Sequence, residues 1–307
     1  MKGDMLSVQG SWMNFIPSKA ARQYALECVD CSSTDDDISA ADFTESHESV
    51  FQDFSGAIKY YHDLGDSTDI AFGLTGGMFS TDTNRFSPLY GLDGEIGTPY
   101  GTVDSSSTGI GATNKDSANF LTGDFEYGWR NSGGSMNTRL FIGARSEMLN
   151  WKRTAMQDLS SSNSYAGTEK SEFLGIGPRI GGSFDMPLGS SESFGLFGGL
   201  SGGVMVGSLE QKFNLDSSST AYGDIDDYSK AVAVPFADVE MGVSAHLTEG
   251  ITFQFGYQAG FASGILRTAT VCTDDDVDDV KPYNDSCGDE RSDVLTHGAF
   301  IRLSGNF

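Results

Sequence analysis

The chain has 307 residues, among them 39 Gly, 21 Phe and 11 Tyr, and its 43 acidic against 19 basic side chains give a formal net charge of -24. That charge excludes nucleic acid as a partner, because phosphate backbones are bound by basic surfaces. The Gly- and aromatic-rich composition, with a mean hydropathy of -0.25, points away from a helical fold, and no stretch approaches the roughly 18 uninterrupted apolar residues of a membrane-spanning helix.

In chain order, ten stretches alternate apolar with polar or small residues and predict strands at about 5–16, 49–62, 67–80, 117–130, 136–152, 169–186, 193–212, 230–247, 250–266 and 295–307. The clearest is "ITFQFGYQAGF", where Ile251, Phe253, Phe255, Tyr257, Ala259 and Phe261 share one face and Thr252, Gln254, Gly256, Gln258 and Gly260 the other. In "NFLTGDFEYGW", Leu121, Phe125, Tyr127 and Trp129 oppose Thr122, Asp124, Glu126 and Gly128. Two-faced strands of this kind belong to an antiparallel sheet.

The connections sort into two kinds. Short, turn-like links ("HDLGDS", "NSGGSM", "PLGSSES", "LTEG") alternate with long polar segments around 17–48, 81–116, 153–168, 213–229 and 267–294. That asymmetry predicts an all-β fold of one domain over 1–307: a transmembrane up-and-down antiparallel barrel of about ten strands, with tight periplasmic turns, long outer loops and both termini on the short-turn side. Closure pairs the last strand, "GAFIRLSGNF", with the first, leaving no open edge in lipid. A soluble sandwich or lipocalin-like barrel would bury the apolar face instead. Spans such as 169–186 and 193–212 are far longer than the strands of about 5–6 residues usual in globular proteins. Tyr60, Trp129, Phe184, Phe194 and Phe253 fall beside the short turns, where an interfacial aromatic belt is expected.

The blocks "GDFEYGWR" and "NTRLFIGARSEML", then "LGIGPRIGGSFDMPLGSSESFGLFGGLSGGVMVG", "VPFADVEMGVSAHLTEGITFQFGYQAGF" and the final "GAFIRLSGNF" resemble, in order, the strands of the Legionella-type major outer membrane protein family. The resemblance covers most of Asn119 to Phe307, and "GIGPRIG", Gly175 to Gly181, is its most specific block. It implies a pore-forming barrel in the outer membrane of a Gram-negative bacterium, reached after removal of a signal peptide that "MKGDMLSVQG" does not contain. The terminal Phe307 fits the assembly signal such barrels carry. The resemblance supplies no catalytic residue.

Strand parity places Asp53, Lys59, Asp124, Glu126, Arg130, Arg139, Arg145, Glu147, Arg179, Asp238, Glu240, His246 and Arg302 in the lumen. Charges of both signs at a lumen of only ten strands are expected to pair across it. Inner-face glycines at 175, 177, 181, 195, 199 and 203 would leave room for a narrow polar passage, and Pro178 and Pro235, inside strands, are expected to mark bulges.

All four cysteines, Cys28, Cys31, Cys272 and Cys287, fall in the first and last long loops, which closure makes neighbours. Two disulfides are expected in an outward-facing location: Cys272 with Cys287 and Cys28 with Cys31, with crossed pairing between the loops left open. The acidic run carrying Asp274, Asp276 and Asp278 offers oxygens to calcium, though it matches no EF-hand loop, and a solvated acidic rim is the preferred reading. No other cofactor is expected.

The functional expectation is a porin-like narrow channel for small, preferentially cationic solutes, with a plugged structural or adhesive barrel as the alternative. The expected partners are the outer-membrane bilayer, small solutes and further copies of the chain in a homo-oligomer. His47 and His297 lie near strand tops with Glu48 and Asp293 close in sequence, but no opposing acidic pair accompanies them, so no enzyme is expected.

Overall fold

A computed structural model of the chain describes residues 3–18, 23–28, 43–47, 51–65, 67–87, 94–98, 101–105, 110–131, 136–158, 164–189, 193–216, 228–248, 250–268, 271–273, 280–282 and 291–307. Ten antiparallel strands close into a barrel: β1 (Met5–Pro17), β2 (Phe51–Gly65), β3 (Thr68–Ser87), β4 (Ile110–Asn131), β5 (Asn137–Asp158), β6 (Ser164–Pro187), β7 (Phe194–Asp216), β8 (Tyr228–Thr248), β9 (Ile251–Arg267) and β10 (Arg291–Asn306). Each pairs with its neighbour in sequence. β1 and β10 close the seam, from Met5 opposite Asn306 to Pro17 opposite Val294.

The short turns and both termini share one rim. The β2–β3 turn uses left-handed backbone at Gly65 (φ 78°) and at Ser67 (φ 64°), the conformation a tight reversal demands and a side chain resists. On the opposite rim, β3 runs to Ser87 and β4 starts at Ile110, well past the expected ends at 80 and 117. The apolar period stops where lipid stops, but the hydrogen-bonded ladder continues into water, so hydropathy alone underestimates these strands. Beyond the barrel on this side, Phe43–His47, Gln23–Cys28, Gly94–Thr98 and Gly101–Ser105 form a four-stranded antiparallel sheet in that order, built from the first two long loops. Val271–Thr273 and Val280–Pro282 form a small hairpin in the last.

The outer wall is apolar. On β6, Leu174, Ile176, Ile180 and Phe184 all point outward and are exposed, and the ten residue steps from 174 to 184 cover about 33 Å along a strand. At a tilt of about 40° that is a band about 25 Å high, the height of the apolar belt on an outer-membrane barrel. Phe255, Tyr257, Ile301, Leu303 and Phe307 continue it around β9 and β10.

The expected bulges at the two prolines do not form. Pairing of β6 with β7 lapses at Gly177 and Pro178 and resumes at Arg179 opposite Gly203 in the same register, while Pro235 pairs with Val204 without a shift. Each proline removes a donor but adds no residue, so the ladder loses a bond and keeps its count. The irregularities of the wall lie near strand ends instead, between Asp63 and Gly65, between His246 and Thr248, and between Ala262 and Leu266.

Candidate functional site: the barrel lumen

Because side chains alternate along every strand, the inner face is a second surface with its own order from rim to rim. On β5 the inward residues run Arg139, Phe141, Gly143, Arg145, Glu147, Leu149, Trp151, Arg153. Charge, grease and charge again follow one another, and the other strands repeat the layering.

The layer nearer the short-turn rim is an ion-pair network centred on Glu126, whose carboxylate is 0% exposed. Its Oε1 accepts from Lys59 Nζ at 2.8 Å and Arg179 Nη1 at 2.6 Å, and its Oε2 from Arg139 Nη1 at 2.6 Å. Arg139 also reaches Asp69 Oδ1 at 2.6 Å, Arg130 lies 3.3 Å from Asp69, and Arg130 bonds Asp63 at the rim. Beside this, Arg145 donates to Asp124 Oδ1 at 2.9 Å and Asp238 Oδ2 at 2.8 Å, and Ser201 bridges Arg179 and Asp238. Across the lumen Arg302 binds Glu240 Oε1 at 3.2 Å and Gln9 Oε1 at 2.9 Å. Among the described residues neither Glu147 nor Asp53 forms a close ion pair, although Arg145 attracts the Glu147 carboxylate at longer range, and Asp53 accepts the Phe54 N–H at 2.8 Å. His246, on the exposed rim, sits 3.1 Å from Thr252 Oγ1. Solvent enters this layer: the side chains of Asp238, Glu240 and Lys59 are 33%, 28% and 28% exposed.

Above it the lumen is closed by an apolar layer drawn, among the described residues, from every strand except β2. Met13, Phe15, Phe79, Leu149, Trp151, Phe173, Met205, Leu209, Val234, Phe236, Ile265, Leu266 and Val294 form one buried cluster, with Phe120 packed against it. Phe79 stacks on Phe15 at 5.2 Å and on Phe120 at 5.8 Å between ring centres. Beyond this layer, Arg153 pairs with Asp116 at 3.2 Å, both buried, and lies over the Trp151 ring.

Four of the six inner glycines are packed closed. A Cβ on Gly175 would sit 2.4 Å from the Phe173 ring and one on Gly181 2.4 Å from the Phe141 ring, while the Gly203 position faces Pro178 O and the Phe236 ring. At Gly175, Gly177, Gly181 and Gly203 the room is taken by aromatic rings and close strand backbone, which narrows the passage expected beside β6 and β7, while Gly195 and Gly199 face the Ser244 hydroxyl and the Glu240 side chain.

The apolar layer, Asp63, Asp69 and the Asp116–Arg153 pair are absent from the expectations of sequence. Parity applied to β3 would have found Asp69, but Asp116 and Arg153 fall in strand extensions that read as loop. His297 points outward, where it bonds the Tyr257 hydroxyl and accepts Asn14 Nδ2 on its carbonyl at 3.4 Å. Cys31, Cys287, Asp274, Asp276 and Asp278 lie outside the described residues, as do the side chains of Cys28 and Cys272. No metal-holding group of His, Cys, Asp or Glu occurs among the described residues.

Solved barrels align along the whole chain at low identity. The outer membrane protease OmpT from Escherichia coli matches at 10% identity and a TM-score of 0.46, covering 100% of this chain and 97% of that one. The translocator domain of the autotransporter NalP from Neisseria meningitidis matches at 10% and 0.42, covering 100% and 89%. The CymD monoaromatic hydrocarbon channel matches at 7% and 0.27, covering 100% and 89%. No curated protein matches. The family model described as Legionella pneumophila major outer membrane protein precursor matches residues 17–303, nearly the whole barrel. The chain therefore belongs to the Legionella major outer membrane protein family and is an outer-membrane β-barrel.

Proposed function

We propose that the chain is a narrow outer-membrane channel for small, preferentially cationic solutes, closed in this conformation by the apolar layer of its lumen. The observation that carries this reading is the change of lumen character along the axis. Partly exposed Asp238, Glu240 and Lys59 form a polar vestibule from the periplasmic side, and it ends beneath the stacked rings of Phe15, Phe79 and Phe120. A hydrophobic constriction holds a pore shut by excluding water and opens when its side chains move aside. The reading is of a non-enzymatic barrel, in keeping with its family.

A second reading is a permanently plugged barrel acting through its surface, favoured by the four-stranded sheet that the first two outer loops build above the wall. Planar-bilayer recording separates the two. The channel reading expects rare, small openings from the wild-type protein and frequent ones from Phe79→Ala or Phe173→Ala. Folded protein that conducts in neither form would replace it with the surface reading.

A further inference from the structure

Three lysines stand side by side on the outward wall. Lys170 on β6 is directly opposite Lys152 on β5 and Lys212 on β7, so neighbouring Cβ atoms in this row are about 4.5–5.5 Å apart. Lys115 on β4 lies one step further toward the long-loop side, opposite Thr154. Four of the chain's nine lysines thus gather on four adjacent strands of a protein whose net charge is -24. The row's nearest acids, Glu172 and Glu210, oppose each other one step toward the membrane, leaving the patch net positive.

Like charges directly opposed across strands are destabilising. Of the three lysines in the row, Lys212 has Glu210 at 3.1 Å, while no carboxylate among the described residues pairs with Lys152 or Lys170. An anion outside the chain would neutralise such a row. Its depth indicates which anion. Leu174 is the outermost large apolar residue described on the outward face of β6, and Lys170 lies four residues earlier in the chain, about 13 Å further along the strand toward the long-loop rim. With the tilt of a barrel strand this is about 10 Å beyond the hydrocarbon on the long-loop side, and the flexible lysine stem can reach back into the headgroup layer.

We propose that Lys152, Lys170 and Lys212 bind the phosphate groups of the anionic glycolipid of the outer leaflet, making a lipid site on the β5–β7 wall. Ammonium groups at this depth meet phosphate while their stems lie along the apolar rim formed by Met148 and Leu174, and the lipid's charge offsets the repulsion within the row.

The test uses the full chain in nanodiscs of phosphatidylcholine alone, with bis-phosphorylated lipid A, or with lipid A stripped of its phosphates. Glycolipid retained per barrel after transfer to detergent is counted by native mass spectrometry. The phosphorylated form is expected to be retained and the stripped form lost. Retention should weaken by about fivefold for each lysine changed to Ala and survive Lys→Arg at all three positions. Equal retention of the two lipid A forms by the wild-type barrel would overturn the proposal without reference to any variant. So would undiminished retention by the triple Ala variant, provided it migrates as a folded barrel.

Discussion

Arg145 on β5 and Asp238 on β8 meet at 2.8 Å across the lumen, joining strands separated in the wall by β6 and β7. The contact shows that the barrel is braced from inside as well as around its circumference. Glu126 is the stronger brace, because three cations converge on a carboxylate that solvent does not reach. Removing one member of a buried charge cluster strands the others, at about 3–5 kcal/mol. Glu126→Ala is therefore expected to destabilise the barrel by that order. Arg145→Ala should cost less, because Arg179 remains 3.2 Å from Asp124. Urea unfolding in lipid vesicles gives both values, and the reverse ranking would contradict the role assigned to Glu126.

Facing of the wall can be tested by one pair of adjacent positions. Phe255 is exposed on the outer belt, whereas Gln254 points inward and accepts from Arg302 Nη1 at 3.2 Å. A charged residue at the lipid midplane costs about 2–4 kcal/mol. Phe255→Arg is expected to impair insertion and lower stability by that amount, and Gln254→Arg to affect the interior network while leaving insertion intact. Folding yield into vesicles measures the first effect. Equal impairment by both substitutions would mean the two faces are wrongly assigned.

The strand pattern was legible in sequence because the bilayer imposes it. Lipid-facing positions are held apolar or small, so Phe253, Phe255 and Tyr257 announce their strand without help from tertiary structure. The inner face obeys no such uniform rule. It can be charged at Arg145 and apolar at Leu149 two steps along the face, and in the sequence an inward Phe79 or Phe173 looks like one more member of an apolar run. The closure of the lumen depends on which rings meet across it, as Phe15 and Phe79 do from β1 and β3, and no periodicity within a single strand encodes that contact. Strand ends were lost for a related reason: outside lipid the ladder continues under polar side chains.

At the seam, Asp4 accepts the Tyr60 hydroxyl at 2.6 Å and the Asp63 N–H at 3.2 Å, and lies 2.9 Å from His62 Nδ1, while its backbone carbonyl takes the Phe307 N–H at 3.0 Å. The Tyr60 hydrogen bond, followed by that of His62, holds the Asp4 carboxyl below its ordinary range. A depressed folded-state value contributes stability that is complete above the unfolded value, about pH 4, and disappears as pH falls through the lower folded one. Wild type should therefore lose more stability than Asp4→Asn when pH is lowered from about 5 through that window. Heat-induced loss of the folded gel band, followed as a function of pH, tests the difference. Parallel profiles for the two proteins would mean that the Asp4 carboxylate does not stabilise the seam.

Selectivity separates the lumen from the loops. The acidic stretches of the first and last long loops act over a distance set by screening, about 10 Å at 0.1 M salt and 3 Å at 1 M. Glu240 and Asp238 act on an ion passing beside them, at separations salt shields far less. If both contribute, reversal potentials in a salt gradient should favour cations throughout and weaken, without vanishing, as mean salt rises. Glu240→Gln would leave the Arg302 guanidinium without its carboxylate and turn that part of the vestibule positive. Its effect is expected to persist at high salt, where the contribution of the loops has faded. Phe79→Ala supplies the background in which openings are frequent enough to measure. Anion preference in that background, or a Glu240→Gln effect that disappears with added salt, would locate the selectivity outside the lumen.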